Sequence, residues 1–94
     1  MPMTRDGSEA KSLLTFPTSF PIKVMGRREE AFAQTIVAIV LRHAPDFDAS
    51  TVEMRPSKAG TYLSLTVTIV ARSQAQLDAL YGELSAHPMV LMAL

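Results

Sequence analysis

The chain has 94 residues, enough for one domain around a single core. Hydrophobic residues at 48% and charged residues at 19% exclude a disordered chain, and nine basic residues against nine acidic ones leave no general field to attract a polyanion. There is no cysteine, which removes disulfides, zinc–thiolate sites and thiol catalysis.

Residues 1–15 carry Pro2, Gly7 and scattered charges without a sustained period, so they are predicted to form a mobile tail pinned at its end by Leu13, Leu14 and Phe16. They contain no continuous apolar run of the secretory type, and the longest strongly apolar stretch, residues 35–41, is too short to span a bilayer. A cytoplasmic protein without a membrane partner is expected. From Phe20 the pattern alternates, with Phe20, Ile22 and Val24 on one face and Pro21, Lys23 and Met25 on the other, which predicts a half-buried strand ended by Gly26. A helix over residues 28–43 follows, with Glu29 and Glu30 in its first turn, where carboxylates complement the helix dipole. Phe32, Ile36, Ile39 and Val40 form its apolar stripe, and Pro45 stops it.

After the loop Asp46-Phe47-Asp48-Ala49-Ser50, a second strand is predicted with Val52 and Met54 inward and Glu53 and Arg55 outward. Pro56-Ser57-Lys58-Ala59-Gly60 makes the turn, with Gly60 free to take positive φ. The third strand is the clearest, Leu63, Leu65, Val67 and Ile69 alternating with Tyr62, Ser64, Thr66 and Thr68. Ser73 and Gln76 form a capping box before a helix whose stripe is Leu77, Leu80, Tyr81 and Leu84. Pro88 ends that helix, and residues 89–94 make an apolar last strand. Two helices with one stripe each and four strands bury one another only as two layers. Right-handed crossovers then give an α+β, ferredoxin-like sandwich, β-α-β-β-α-β, with antiparallel sheet order 4-1-3-2, over residues 16–94.

The stretch Phe16-Pro17, Phe20-Pro21-Ile22-Lys23-Val24-Met25-Gly26 resembles the signature of the YbeD-like family, also called DUF493 or UPF0250. The resemblance extends to Arg42-His43-Ala44-Pro45, Arg55-Pro56-Ser57, Gly60-x-Tyr62 and Tyr81-x-Glu83-Leu84, in the same order over residues 13–94. One departure lies in the turn, where Ser57-Lys58-Ala59-Gly60 stands in place of the family's usual Ser-Ser-Lys-Gly. The resemblance implies a small bacterial protein with a fold like the ACT-type regulatory domain of phosphoglycerate dehydrogenase. In that family the genes often lie beside the octanoyl transferase of lipoate synthesis. It implies a regulatory or partner-binding role and brings no catalytic residue with it.

The residues themselves agree that no catalyst stands out. His43 and His87 each close a helix, where an imidazole complements the C-terminal dipole. Asp46 and Asp48 lack the glycine and terminal glutamate of a calcium loop, and no serine sits in a G-x-S-x-G elbow. An acylphosphatase needs a glycine-rich anion loop and an asparagine, and the chain has no asparagine. No catalytic residue, metal or cofactor is assigned.

Two surfaces are candidates for binding. Gly26, Arg27 and Arg28, between the first strand and helix, could hold an anionic metabolite against helix amides. Lys23, Met25, Tyr62, Met89 and Leu91 are assigned to the open sheet face, where soft apolar groups suit a protein partner. The bare last strand is compatible with a homodimer. The competing reading is a weak RNA-binding module stacking a base on Tyr62, but Ser64, Thr66 and Met25 add no aromatic platform. The expected function is therefore a non-enzymatic accessory module that binds a small metabolite or a partner enzyme, with nucleic acid not expected.

Overall fold

A computed structural model describes residues 14–94 and realises the predicted element order. The elements are β1 (Thr18–Arg27), α1 (Phe32–His43), β2 (Glu53–Pro56), β3 (Tyr62–Ala71), α2 (Gln74–Ala86) and β4 (Val90–Ala93), with a 3-10 turn at Ala49–Thr51. The predicted tail lies outside the described residues except for Leu14 and Thr15, as does the anchoring expected of Leu13. Phe16 packs against the core.

The sheet is antiparallel in the order β2-β3-β1-β4, the predicted 4-1-3-2 read from the other edge. Its spine is the β1–β3 pair, in register from Thr18 opposite Ala71 to Arg27 opposite Tyr62. That register puts Ile22 and Val24 on the same face as Leu65, Val67 and Ile69, all buried beneath the helices. Phe32, Ile36, Ile39 and Val40 from α1 and Leu77, Leu80 and Leu84 from α2 complete the core. Each such side chain contributes about 1.5–3 kcal/mol of burial, so the stripes that identify the helices also hold them down. Phe47, in the loop after α1, is buried as well, which its setting between two aspartates concealed.

Four local expectations change. First, α1 starts at Phe32 rather than at residue 28: the Phe32 N–H donates to the Glu29 carbonyl (3.1 Å), making a turn, and Ala31 is the N-cap. Glu29 and Glu30 thus precede the helix. Second, Gly26 does not end β1 but lies inside it, opposite Leu63 and Val90. Third, Met54 faces the helix layer, opposite buried Leu65, yet stays 59% exposed because it borders an open groove beside α1. Fourth, Ser73 caps α2 by accepting the Gln76 N–H (3.0 Å), but the Gln76 side chain returns to the N–H of Arg72 (2.6 Å) rather than to that of Ser73. Gln76 also donates to the His43 carbonyl (2.9 Å), tying the start of α2 to the end of α1.

Candidate binding surfaces

The sequence leaves β1 running two residues beyond Met25, and the alternation of a strand sends Arg27 and its neighbour Arg28 to different sides. Arg28 turns toward the helix layer. Its backbone N–H donates to the Thr61 carbonyl (2.9 Å), and a β-carbon on Gly60 would lie 3.2 Å from its guanidinium. Gly60 has φ +79°, as the turn requires, and the Ser57 hydroxyl accepts the Tyr62 N–H (3.1 Å). The β1–α1 turn is therefore fastened to the β2–β3 hairpin.

Between them lies a groove of about 660 Å³. Ala33, Met54, Pro56 and Leu63 give it apolar walls, while Arg28, Glu29, Glu30 and Gln34 supply charge and polarity. Among the described residues, Arg28, Glu29 and Glu30 form no ion pair, so both signs of charge are available to a ligand. Of the three residues assigned to metabolite binding, only Arg28 lines this groove. Arg27 stands on the opposite face, across from Tyr62. Gly26 is buried, and the space beside its α-carbon is filled by the Phe32 ring and the Met89 carbonyl, so it serves packing and not ligand approach.

The open sheet face is built from the other set of alternating residues. Lys23 lies opposite Thr66, Met25 opposite Ser64 and Arg27 opposite Tyr62; from β2, Glu53 adjoins Thr66 and Arg55 adjoins Ser64. Lys23, Met25, Arg55, Tyr62 and Ser64 line a shallow depression of about 260 Å³. Lys23, Met25 and Tyr62 thus come together on one face. Met89 does not join them. The register of β4 shifts between Met25 and Gly26, so Met92 faces Met25, while Met89 packs on the core. A bulge of this kind reverses the side-chain parity that simple alternation assigns. Leu91, at the shift, is exposed. Arg55 and Met92 are the residues that sequence reasoning left out of this face. Arg55 was legible as the outward residue of β2, whereas Met92 was hidden by the irregularity.

Several polar groups elsewhere have structural partners. Glu83 accepts from both Arg42 and His43, the latter at 2.7 Å, and joins the two helices. His87 takes the Met89 N–H on Nδ1 (3.1 Å). Arg72 pairs with Asp46 at 2.5 Å. Asp48 accepts from the Ser50 hydroxyl (2.7 Å) and backbone N–H (2.9 Å), which hold its carboxyl below the usual value. Burial pushes the Tyr81 phenol up. Among the described residues, no three acidic or imidazole side chains gather as metal ligands, and no helix is long and apolar enough to cross a membrane.

A family model described as "Protein of unknown function (DUF493)" matches residues 11–94. The chain belongs to the DUF493 family. A UPF0250 protein of Leptothrix cholodnii is 53% identical over 90 residues, which cover 96% of this chain and 99% of that protein. The DUF493 chain also shares its fold with a solution structure of an H. pylori protein, at a TM-score of 0.70 and 13% identity, covering 86% of this chain and 85% of the other. The ACT domain from GTP pyrophosphokinase of Chlorobium tepidum matches with a TM-score of 0.61 and 14% identity, over 81% of this chain and 84% of that domain. The ACT-like, ferredoxin-type sandwich is thereby established for this DUF493 chain, and the relatives are bacterial.

Proposed function

We propose that this DUF493 protein is a non-catalytic regulatory module that senses a small metabolite in the groove between the β1–α1 turn and the β2–β3 hairpin. The observation that carries the reading is the joining of a cation and two carboxylates around apolar walls: Arg28, Glu29 and Glu30 beside Ala33, Met54 and Leu63. A compact zwitterion fits such a rim, its carboxylate taken by the guanidinium and its ammonium by a glutamate. The tie from the Arg28 N–H to the Thr61 carbonyl supports a regulatory outcome, because a ligand that moves the turn also moves the hairpin. The likeness to an ACT domain attached to a pyrophosphokinase supports the same class of role.

An amide-resolved NMR titration of the chain with a panel of amino acids, lipoate and octanoate tests this reading. Saturable shifts confined to Arg28–Glu30, Gln34 and Met54, lost in Arg28→Ala, are expected for one amino acid. Binding by lipoate or octanoate in their place would keep the groove and replace the zwitterion with a monoanion. No saturable shift from any of them would end the metabolite reading.

A further inference from the structure

The second face of the sheet offers a different chemistry from the groove, and its components come from all four strands. Along β1, Lys23, Met25 and Arg27 point to it; Arg55 adds a third cation from β2 and Tyr62 an aromatic ring from β3. Leu94 exchanges both backbone hydrogen bonds with Lys23, at 3.0 and 2.8 Å, so its side chain shares the face of Lys23. Met25, Met92 and Leu94 therefore form an apolar strip, with Met92 46% and Leu94 65% exposed. Tyr62 is 40% exposed at its other side. Glu53, next to Thr66, is the carboxylate of this region, and it forms no ion pair with Lys23 among the described residues.

We infer that this face docks an acidic protein segment that also carries apolar side chains. The net charge of the patch selects the sign of the partner, since Lys23, Arg27 and Arg55 outnumber Glu53. The methionines select its texture: they are unbranched and polarisable, and they accommodate varied apolar side chains without a fixed pocket shape. A small molecule covers only part of this surface, because the depression of about 260 Å³ runs from Arg55 and Tyr62 as far as Lys23 and Met25, and the apolar strip continues beyond it to β4. RNA does not match it either, because one ring gives no second stacking platform. An extended chain whose face toward the sheet carries acidic residues at one end and apolar residues at the other satisfies both halves of the patch at once. The groove of the proposed function opens on the other layer, so this interaction stands whether or not the groove binds a metabolite.

The test uses the 94-residue protein and three synthetic twelve-residue peptides with serine at every second position, whose other face carries leucines at one end and glutamates, lysines or serines at the other, followed by amide and methionine-methyl NMR. The glutamate peptide is expected to shift Met25, Tyr62 and Met92 saturably, with affinity falling as salt rises. The double charge reversal Lys23→Glu, Arg55→Glu lies at exposed positions and is expected to keep a native spectrum while weakening that binding about tenfold or more. Met92→Ser is expected to weaken it with unchanged salt dependence. Equal binding of the serine or lysine peptide overturns the inference, as does the absence of binding by the glutamate peptide. Tighter binding of a uridine oligonucleotide, dependent on Tyr62, would assign the face to RNA, and peptide-independent shifts that grow with protein concentration would assign it to a second copy of the chain.

Discussion

Phe32 occupies the space that a side chain on Gly26 would need: a β-carbon there would lie 2.5 Å from Phe32 Cε1, with the Met89 carbonyl pressed on the same spot. One glycine thus allows the first residue of α1 and the entry to β4 to close over β1 together. Gly26→Ala is expected to destabilise the fold by about 2–3 kcal/mol, because backbone and a buried ring must both move. A urea denaturation midpoint measures it; a midpoint within error of the parent would show that this contact is slack.

Gly60 carries the turn of the β2–β3 hairpin at φ +79°. Gly60→Ala is expected to cost about 1–2 kcal/mol from the left-handed backbone alone. The new methyl would also meet the Arg28 guanidinium, a flexible end that can give way. Amide shifts should therefore appear at Arg28 as well as at the turn. A thermal melt together with one heteronuclear spectrum separates the two effects.

Ser73 closes the start of α2 by accepting the Gln76 N–H. Ser73→Ala is expected to lose about 1 kcal/mol, with the loss read as faster amide exchange in the first turn of α2. Gln76→Ala should reach further, since it frees the Arg72 N–H and the His43 carbonyl together.

Asp48 gives a pH signature. Its carboxyl sits below the ordinary value first because of the Ser50 hydroxyl and then because of the Ser50 N–H. A folded value below the unfolded one means that its contribution to stability is complete above the unfolded pKa and disappears as pH falls through the folded one. Ser50→Ala should raise the carboxyl titration followed by carbon NMR, and an unmoved titration would refute the leading role of the hydroxyl. Tyr81 has the opposite sense: its burial-raised phenol means that the unfolded chain ionises first, so stability declines as pH climbs beyond the usual tyrosine range.

Much of the fold was legible because single residues carried their own evidence. Leu65, Val67 and Ile69 alternate cleanly because one face of β3 meets the helices and the other does not. Phe32, Ile36, Ile39 and Val40 read as one stripe because all four are fully or nearly fully buried. What escaped were features set by neighbours distant in sequence. Glu29 and Glu30 satisfy a helix-start pattern equally well from the turn that precedes it. Gly26 looks like a strand terminator until Phe32 and Met89 are seen packed on it. Met92 replaces Met89 on the open face because β4 shifts by one residue against β1, and periodicity carries no trace of such a slip. Arg28 and Met54 meet in one groove only after the hairpin folds back beside α1.

Arg27 and Arg28 are one peptide bond apart, yet Arg27 faces Tyr62 on the open sheet while Arg28 reaches the groove. To a charge count the two are interchangeable. In the folded chain they are not, because Arg27 is the last residue of β1 and Arg28 the first beyond it, so each is assigned to its own surface. Deleting either arginine would leave most of the composition intact, yet the one that remains would follow Gly26 onto the open sheet and the groove would lose its cation. The identity of both sites is written in counting, and it would be erased by an edit that scarcely alters what the protein is made of.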